Sequence, residues 1–226
     1  MKYIAIRILA VICALGLLAC TDPFIAHAST VTFTYEYPGG ANSGGVYTYP
    51  YYVSIDGGHP VPMMCFSYTN EISPGESWTA SVTTIVANNP REEELAYLYQ
   101  VASNPATPAQ DVSDAQWAAW MLYDPTDLTE ASGKVPDWAG SEAELVAAEN
   151  FAGAHPNYFV GRYTLYIPDN STWRLDDPST WNGQGPQPFM SNYVAEPSSL
   201  LLVGTGLLLL AGAVRRKWLR SARSSS

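Results

Sequence analysis

One cysteine, Cys65, lies in the body of this 226-residue chain, and its sulfur is the first candidate for chemistry. The other two cysteines, Cys13 and Cys20, fall in an apolar N-terminal stretch that has the features of an export signal. A single cysteine cannot form an internal disulfide, and an odd cysteine in an exported chain needs a reason. Cys65 is therefore either a buried, inert thiol or a sulfur that is used chemically.

The other residues capable of chemistry give weaker signals. Cys65 with His59 or His155 can imitate a cysteine-hydrolase pair, but no local signature of such enzymes surrounds Cys65. Two histidines without ligand spacing do not indicate zinc. We predict no catalytic residue, no metal and no cofactor. Calcium is the weaker alternative, on Asp124 with Asp127, or on Asp169 with Asp176 and Asp177.

The elements that must position Cys65 follow from residue patterns. β-Branched and aromatic residues, separated by glycine and proline turns, predict strands over 31–37, 46–55, 61–68, 77–86, 160–167 and 189–194. Capping patterns predict three helices, which begin at Pro90 after Asn89 (with Glu92 completing a capping box), at Ser113, and at Ser141. The second ends near Asp124 and the third near Gly153. This order predicts an α+β domain with a mainly antiparallel sheet and about three short helices inserted.

Cys65 falls in the predicted strand Val61-Pro-Met-Met-Cys-Phe-Ser-Tyr68, and Gln116 falls at the start of a predicted helix, in Ala115-Gln-Trp-Ala-Ala-Trp120. A Gln-x-Ala-x-Trp pattern about fifty residues after such a cysteine resembles the bacterial surface thioester domains, over about residues 61–123. The resemblance implies an internal thioester between Cys65 and Gln116 that bonds covalently to a nucleophile on a target surface. Trp117 or Trp120 would shield that bond from water.

Two positions depart from the family pattern, and each site residue also has a plainer interpretation. Ala115 stands where the family has threonine, and Met64 where it has an aromatic residue before the cysteine. Gln116 can instead form the second half of a Ser113-x-x-Gln capping box. Trp120, one helical turn after Gln116, can be a core residue, and Cys65 a plain core thiol.

The C-terminal segment has the composition of a membrane anchor. It contains, in order, Ala195, Glu196, Pro197 and Ser198, an uncharged apolar run over 200–214, and the basic residues Arg215, Arg216 and Lys217. From Ser198 the apolar segment is 17 residues long, the lower limit for a helical span, and the basic cluster would stay cytoplasmic. The segment resembles the PEP-CTERM sorting signal, with Ala195 in place of the first proline, and implies processing by an exosortase-type protease. The alternative is an ordinary anchor helix.

The N-terminus also indicates export. Lys2 and Arg7 precede the start of an apolar run that extends to residue 19, and Ala26 and Ala28 form a small-x-small site that predicts cleavage after Ala28. The alternative is a lipoprotein signal with a lipid on Cys20. The domains predicted are a signal peptide over 1–28, an extracytoplasmic domain over 29–194, and a sorting signal with a transmembrane helix and basic tail over 195–220.

The charge of the body narrows the choice of partners. Residues 29–196 contain four basic and twenty acidic residues, a net charge of −16 that repels nucleic acid and anionic lipid. We therefore predict a non-enzymatic exported surface or extracellular-matrix protein that is held by its C-terminal helix at the inner membrane, body outside, before release to the cell surface. The sorting-signal resemblance implies association with the envelope or exopolysaccharide. The alternative is a covalent adhesin that uses Cys65 and Gln116.

Overall fold

In the part of the chain that the structure describes, a run of strands is followed by the helices and then by two more strands, which is the order that the residue patterns predict. The computed structural model describes residues 30–70, 72–124, 132–169 and 186–192. In those ranges the elements are β1 (Thr30–Pro38), β2 (Asn42–Ser43), β3 (Val46–Tyr47), β4 (Tyr51–Ile55), β5 (Val61–Cys65), β6 (Ser77–Thr84), α1 (Pro90–Ser103), α2 (Ala109–Tyr123), a 3₁₀ turn (Ser132–Lys134), α3 (Trp138–Ala154), β7 (Thr164–Pro168) and β8 (Phe189–Ser191).

Six of these strands pair into a closed barrel in the order β1-β4-β5-β8-β7-β6, and every pairing is antiparallel. Alternate residues of β1, namely Val31, Phe33 and Tyr35, are buried because successive side chains of a strand point to opposite faces. The Phe33 ring lies 4.9 Å from the ring of Tyr166 and 6.3 Å from that of Phe189. The antiparallel α+β prediction is confirmed, whereas the closure into a barrel was not predicted.

The three helices pack on one another and on one side of the barrel. Their apolar side chains form a buried cluster with residues of β5, β7 and β8; its members include Leu95, Leu98, Ala118, Ala148, Met64, Leu165 and Met190. Met64 belongs to this cluster, whereas Met63 and Cys65 do not, which follows from the alternation of side chains along β5. The end of β5 is thereby the part of the barrel wall whose Met64 side chain packs against the helices.

Two of the predicted helix starts were wrong. α2 begins at Ala109, after Pro108, so Ser113 lies inside the helix and the predicted Ser113–Gln116 capping box does not form. α3 begins at Trp138, where Asp137 accepts a hydrogen bond from Gly140 N at 2.9 Å. An N-cap that lies earlier in the chain prevails because each added helical residue gains a backbone hydrogen bond. Ser141 therefore lies in the first turns of α3 rather than before them.

The start of α1 was predicted in part. The side chain of Asn89 accepts a hydrogen bond from Glu92 N, and Pro90 is the first helical residue, as expected. The carboxylate of Glu92, however, accepts from Val86 N at 2.9 Å, so the second half of the capping box is absent. The neighbouring Glu93 accepts from Phe159 N at 2.9 and 3.1 Å. Both carboxylates attach the helix start to neighbouring segments.

Several predicted strands are shorter than expected. The segment over 46–55 is divided into β3 and β4 by residues 48–50, where Pro50 has no N–H to donate to a strand partner. β3 pairs instead with β2, through a two-residue hairpin closed by Gly44 and Gly45 (φ 65° and 90°). The strand predicted over 61–68 ends at Cys65, and the one predicted over 160–167 begins at Thr164 after a run of turns. Of the strand predicted over 189–194, the structure describes Phe189–Ser191 as strand.

Candidate functional site

Cys65 and Gln116, which lie 51 residues apart in sequence, meet where the end of β5 reaches α2. Cys65 is the last residue of β5 and pairs with Phe189 of β8, which fixes its position in the barrel. Gln116 lies in the second turn of α2. Both residues are completely buried, so no solvent competes for their polar atoms.

The carboxamide of Gln116 is bound to the backbone of Cys65 itself. Its Nε2 donates to the carbonyl oxygen of Cys65 at 2.6 Å. Its Oε1 is buried and has no hydrogen-bond partner among the residues that the structure describes. A buried amide oxygen without a donor lowers the stability of the fold by about 1–3 kcal/mol, so its presence in a native site needs an explanation.

The sulfur of Cys65 has two hydrogen-bonding neighbours. Its thiol donates to the carbonyl oxygen of Ser67 at 3.1 Å, and the indole Nε1 of Trp120 donates to the sulfur at 3.4 Å. Burial raises the pKa of the Cys65 thiol from 9.0 to about 12, and the Trp120 hydrogen bond acts in the opposite direction because it stabilises the thiolate. At neutral pH the free thiol is therefore protonated.

Three aromatic rings pack together beside the Cys65 sulfur, which Trp120 contacts directly, and we call Tyr68, Trp117 and Trp120 the aromatic cover. The centroids of Trp117 and Trp120 lie 4.8 Å apart, and the Tyr68 ring lies 5.6 and 5.5 Å from them. Trp117 Nε1 donates to Ser43 Oγ at 3.2 Å, so the β2–β3 hairpin is attached to the cover. Of the two tryptophans predicted as a shield, Trp120 contacts the sulfur, whereas Trp117 packs against Trp120.

The loop after Cys65 is held by Asp124, which the sequence suggested as a helix end and as a calcium ligand but not as part of this site. The buried carboxylate of Asp124, just after α2, accepts hydrogen bonds from the backbone N–H groups of Tyr68 and Thr69. The acidic residue directly after the helix that carries Gln116 was the available signal. On the other side of the same loop, Gln187 Nε2 donates to the carbonyl oxygen of Asn70.

The remaining candidates contribute less. His59 and His155 are exposed, whereas the thiol of Cys65 is buried. Asp169 accepts a hydrogen bond from Ser81 Oγ, and Asp127, Asp176 and Asp177 lie outside the described residues. In the part of the chain that the structure describes, no group of three or more ligating side chains is arranged to hold a metal ion. Met64 and Ala115, where the chain departs from the thioester-domain pattern, both lie in the cluster between the helices and the barrel.

The predicted targeting segments lie outside the described residues. They comprise Cys20, Ala26 and Ala28 at the N-terminus, and Ala195, Glu196, Pro197, Ser198, Arg215, Arg216 and Lys217 at the C-terminus. Within residues 30–70, 72–124, 132–169 and 186–192, no helix combines the length and apolarity needed to cross a membrane. The signal peptide, the lipid on Cys20 and the transmembrane helix stay predictions.

Comparison with known proteins adds a distant likeness. No family model matches the chain, and no curated protein matches it. A solved structure, the N-terminal thioester domain of the fibronectin-binding protein SfbI from Streptococcus pyogenes, aligns with 77% of this chain and 96% of its own, at 11% identity and a TM-score of 0.36. At that TM-score the likeness is too weak to support a conclusion about function.

Proposed function

We propose that this chain is an exported surface protein that attaches covalently to its target through an internal thioester between Cys65 and Gln116. The observation that supports the proposal is the 2.6 Å hydrogen bond from the Gln116 carboxamide to the backbone of Cys65, in a site closed to solvent. The Gln116 side chain thus reaches the backbone of a residue 51 positions away, and proximity is the first requirement for a bond between the two residues.

The reaction needs no group beyond these two side chains. The sulfur of Cys65 attacks Cδ of Gln116, a carbon–sulfur bond forms, the carbon–nitrogen bond breaks, and the thiol proton leaves with the nitrogen as ammonia. A nucleophile on the target later attacks the same carbon and returns the thiol to Cys65. The unpartnered Oε1 of Gln116 agrees with this chemistry, because a thioester carbonyl is a weaker acceptor than an amide and is less costly to bury.

The surroundings of the pair suit a stored acyl group. A thioester exposed to water hydrolyses, and complete burial of Cys65 and Gln116 beneath the aromatic cover excludes water until a target displaces that cover. Tyr68 is the cover residue that is partly exposed, and it is held by the Asp124 carboxylate. Movement of this loop would uncover the site to a nucleophile.

A second candidate function is a passive surface module in which Cys65 remains a core thiol. The observation in its favour is that burial raises the pKa of the Cys65 thiol to about 12. A protonated thiol is a poor nucleophile, which slows formation of the thioester. In this case the Gln116 carboxamide serves only to hold the end of β5 against α2.

The proposed cellular location of the protein is based on its sequence signals. In this proposal the signal peptide is cleaved after Ala28, and the body passes through the inner membrane to the outside of the cytoplasm. An exosortase-type protease then processes the chain near Glu196 and Pro197. Extracellular polysaccharide or a surface molecule is then the partner, and no enzymatic activity is assigned. Mapping the C-terminal peptide of surface-recovered protein tests this: an end near Pro197 supports processing, and a retained 200–214 segment indicates an uncleaved anchor.

A fluorescent primary amine tests the thioester function. The wild-type chain is expected to incorporate one amine at Gln116, identified by peptide mass spectrometry, and to release one titratable thiol. The Cys65→Ala and Gln116→Ala chains are the matched controls and should incorporate none. Equal labelling of all three chains, or no labelling of the wild type after unfolding in the presence of the amine, would leave the passive module as the function.

A further inference from the structure

Trp120 has a hydrogen-bond partner that is unusual for a buried indole. An indole Nε1–H is a donor only, and a buried tryptophan generally directs it to an oxygen. Trp117, one residue after Gln116 on the same helix, does so with Ser43 Oγ at 3.2 Å. Trp120 is 2% exposed and directs its N–H to the sulfur of Cys65 at 3.4 Å, although neutral sulfur is a weak acceptor.

The strength of that hydrogen bond depends on the charge of the sulfur. A hydrogen bond to an ionised acceptor is roughly twice as strong as one to a neutral acceptor. The donor therefore gains little from a thioester or thiol sulfur and much more from a sulfur that is acquiring negative charge. A group that binds the transition state more strongly than the ground state accelerates the step in which the charge appears.

We propose that Trp120 is a catalytic residue of the thioester, whose indole N–H stabilises the Cys65 sulfur as the carbon–sulfur bond breaks. The inference rests on the proposed function, because it concerns the same bond. The burial that protects this bond also disfavours a thiolate, since the completely buried sulfur has no bulk water to solvate its charge. Trp120 supplies such a donor without admitting water.

The step that Trp120 assists is an acyl transfer without redox change. An amine nitrogen attacks Cδ of Gln116 and a carbon–nitrogen bond forms. The carbon–sulfur bond then breaks, its electron pair goes to the Cys65 sulfur, and the proton lost by the amine ends on that sulfur. Because formation of the thioester passes through the same transition state in reverse, with ammonia as the leaving group, Trp120 accelerates both directions.

The chain contains a matched control in Trp117, which lies in the same cover but donates to an oxygen. Full-length wild-type, Trp120→Phe and Trp117→Phe chains are treated with methylamine, and intact mass is followed with time. Trp120→Phe is expected to open about tenfold or more slowly, as loss of one hydrogen bond to a charged group predicts. Trp117→Phe should open no more slowly than the wild type, because it loosens the cover and retains the N–H on sulfur.

Each outcome decides a different question. A wild-type chain whose mass is never lower than the calculated mass by one ammonia overturns the proposed function, and this inference with it. A wild type with the bond, but with Trp120→Phe opening at the rate of Trp117→Phe, overturns the role of Trp120 alone. A Trp120→Phe chain that melts like the wild type yet forms the bond more slowly than Trp117→Phe supports it.

If Trp120→Phe does not fold, benzothienylalanine at position 120 replaces it. This residue has nearly the shape of tryptophan and carries sulfur in place of the N–H, so it preserves the packing and removes only the donor. Slowed opening in that chain is the expected result, and opening at the wild-type rate overturns the inference.

Discussion

The ionisation of Cys65 gives a quantitative test of the site, in a variant that cannot form the bond. Gln116→Met replaces the carboxamide with a side chain of similar length, so Cys65 remains a thiol. Burial raises the pKa of that thiol from 9.0 to about 12. The folded protein then retains a proton that the unfolded chain has already lost, over the range between these two values.

The sign and size of the effect follow by linkage. Stability from the protonated thiol is fully present below pH 9 and is lost as pH rises towards 12. The free energy of unfolding should fall by about 1.4 kcal/mol for each pH unit within that window, and by about 4 kcal/mol across it. Between pH 9 and pH 10.5, where the measurement is practical, the loss is about 2 kcal/mol.

Urea unfolding between pH 8 and pH 10.5 measures this loss. The control is the double variant Gln116→Met/Cys65→Ala, which has no thiol but keeps the buried tyrosines. Burial also raises the pKa of Tyr35, to about 12, and that of Tyr51, and this largest contribution is common to the two variants. The smaller contribution from the Cys65 charge requires an ionised sulfur, and the folded protein keeps that sulfur protonated below pH 10.5. The difference in unfolding free energy between the variants should therefore change by about 2 kcal/mol. A difference that stays constant over this range would refute the claim that the sulfur lies in a water-excluded site.

Two further predictions concern the segments around the site. Asp124→Ala removes the acceptor for the backbone N–H groups of Tyr68 and Thr69, and should lower the free energy of unfolding by about 2–4 kcal/mol and speed amide exchange at both residues; a change within about 0.5 kcal/mol would contradict it. Gly44 and Gly45 both have positive φ, but a Cβ on Gly44 would lie 1.9 Å from a backbone oxygen and one on Gly45 would contact nothing. Gly45→Ala should cost about 1 kcal/mol in urea unfolding and Gly44→Ala about 3 kcal/mol, and equal costs would show that the hairpin does not lie where described.

The sequence predicted the parts of the fold that depend on local patterns. The alternation of Val31, Phe33 and Tyr35 identifies the inward face of β1, and this holds whether the sheet is open or closed. Closure depends on β1 pairing with β6, more than forty residues away, and no local pattern specifies that partner. The helix starts at Ser113 and Ser141 were misplaced because a serine followed by Gln or Glu three residues later also occurs inside a helix.

For the candidate site, the sequence indicated which residues to consider but not the contacts between their atoms, and the thioester itself stays a prediction. The resemblance indicated Cys65 and Gln116, and the structure places both in one buried site. Helical spacing puts Trp120 and Gln116 on the same face of α2, but it does not show that the indole N–H of Trp120 points to the Cys65 sulfur. The contact between Asp124 and the loop after Cys65 joins residues 55 and 56 positions apart, so it required the tertiary structure.

The intact mass of the purified full-length chain, measured under denaturing conditions without reductant, tests the central claim most directly. The Cys65→Ala chain, expressed and processed in the same cells, provides the reference for any cleavage at either end. The account predicts that the wild type is lighter by one ammonia than its processed sequence requires, whereas Cys65→Ala has its full calculated mass. A wild type of full calculated mass, with one thiol that titrates after unfolding, would contradict the account.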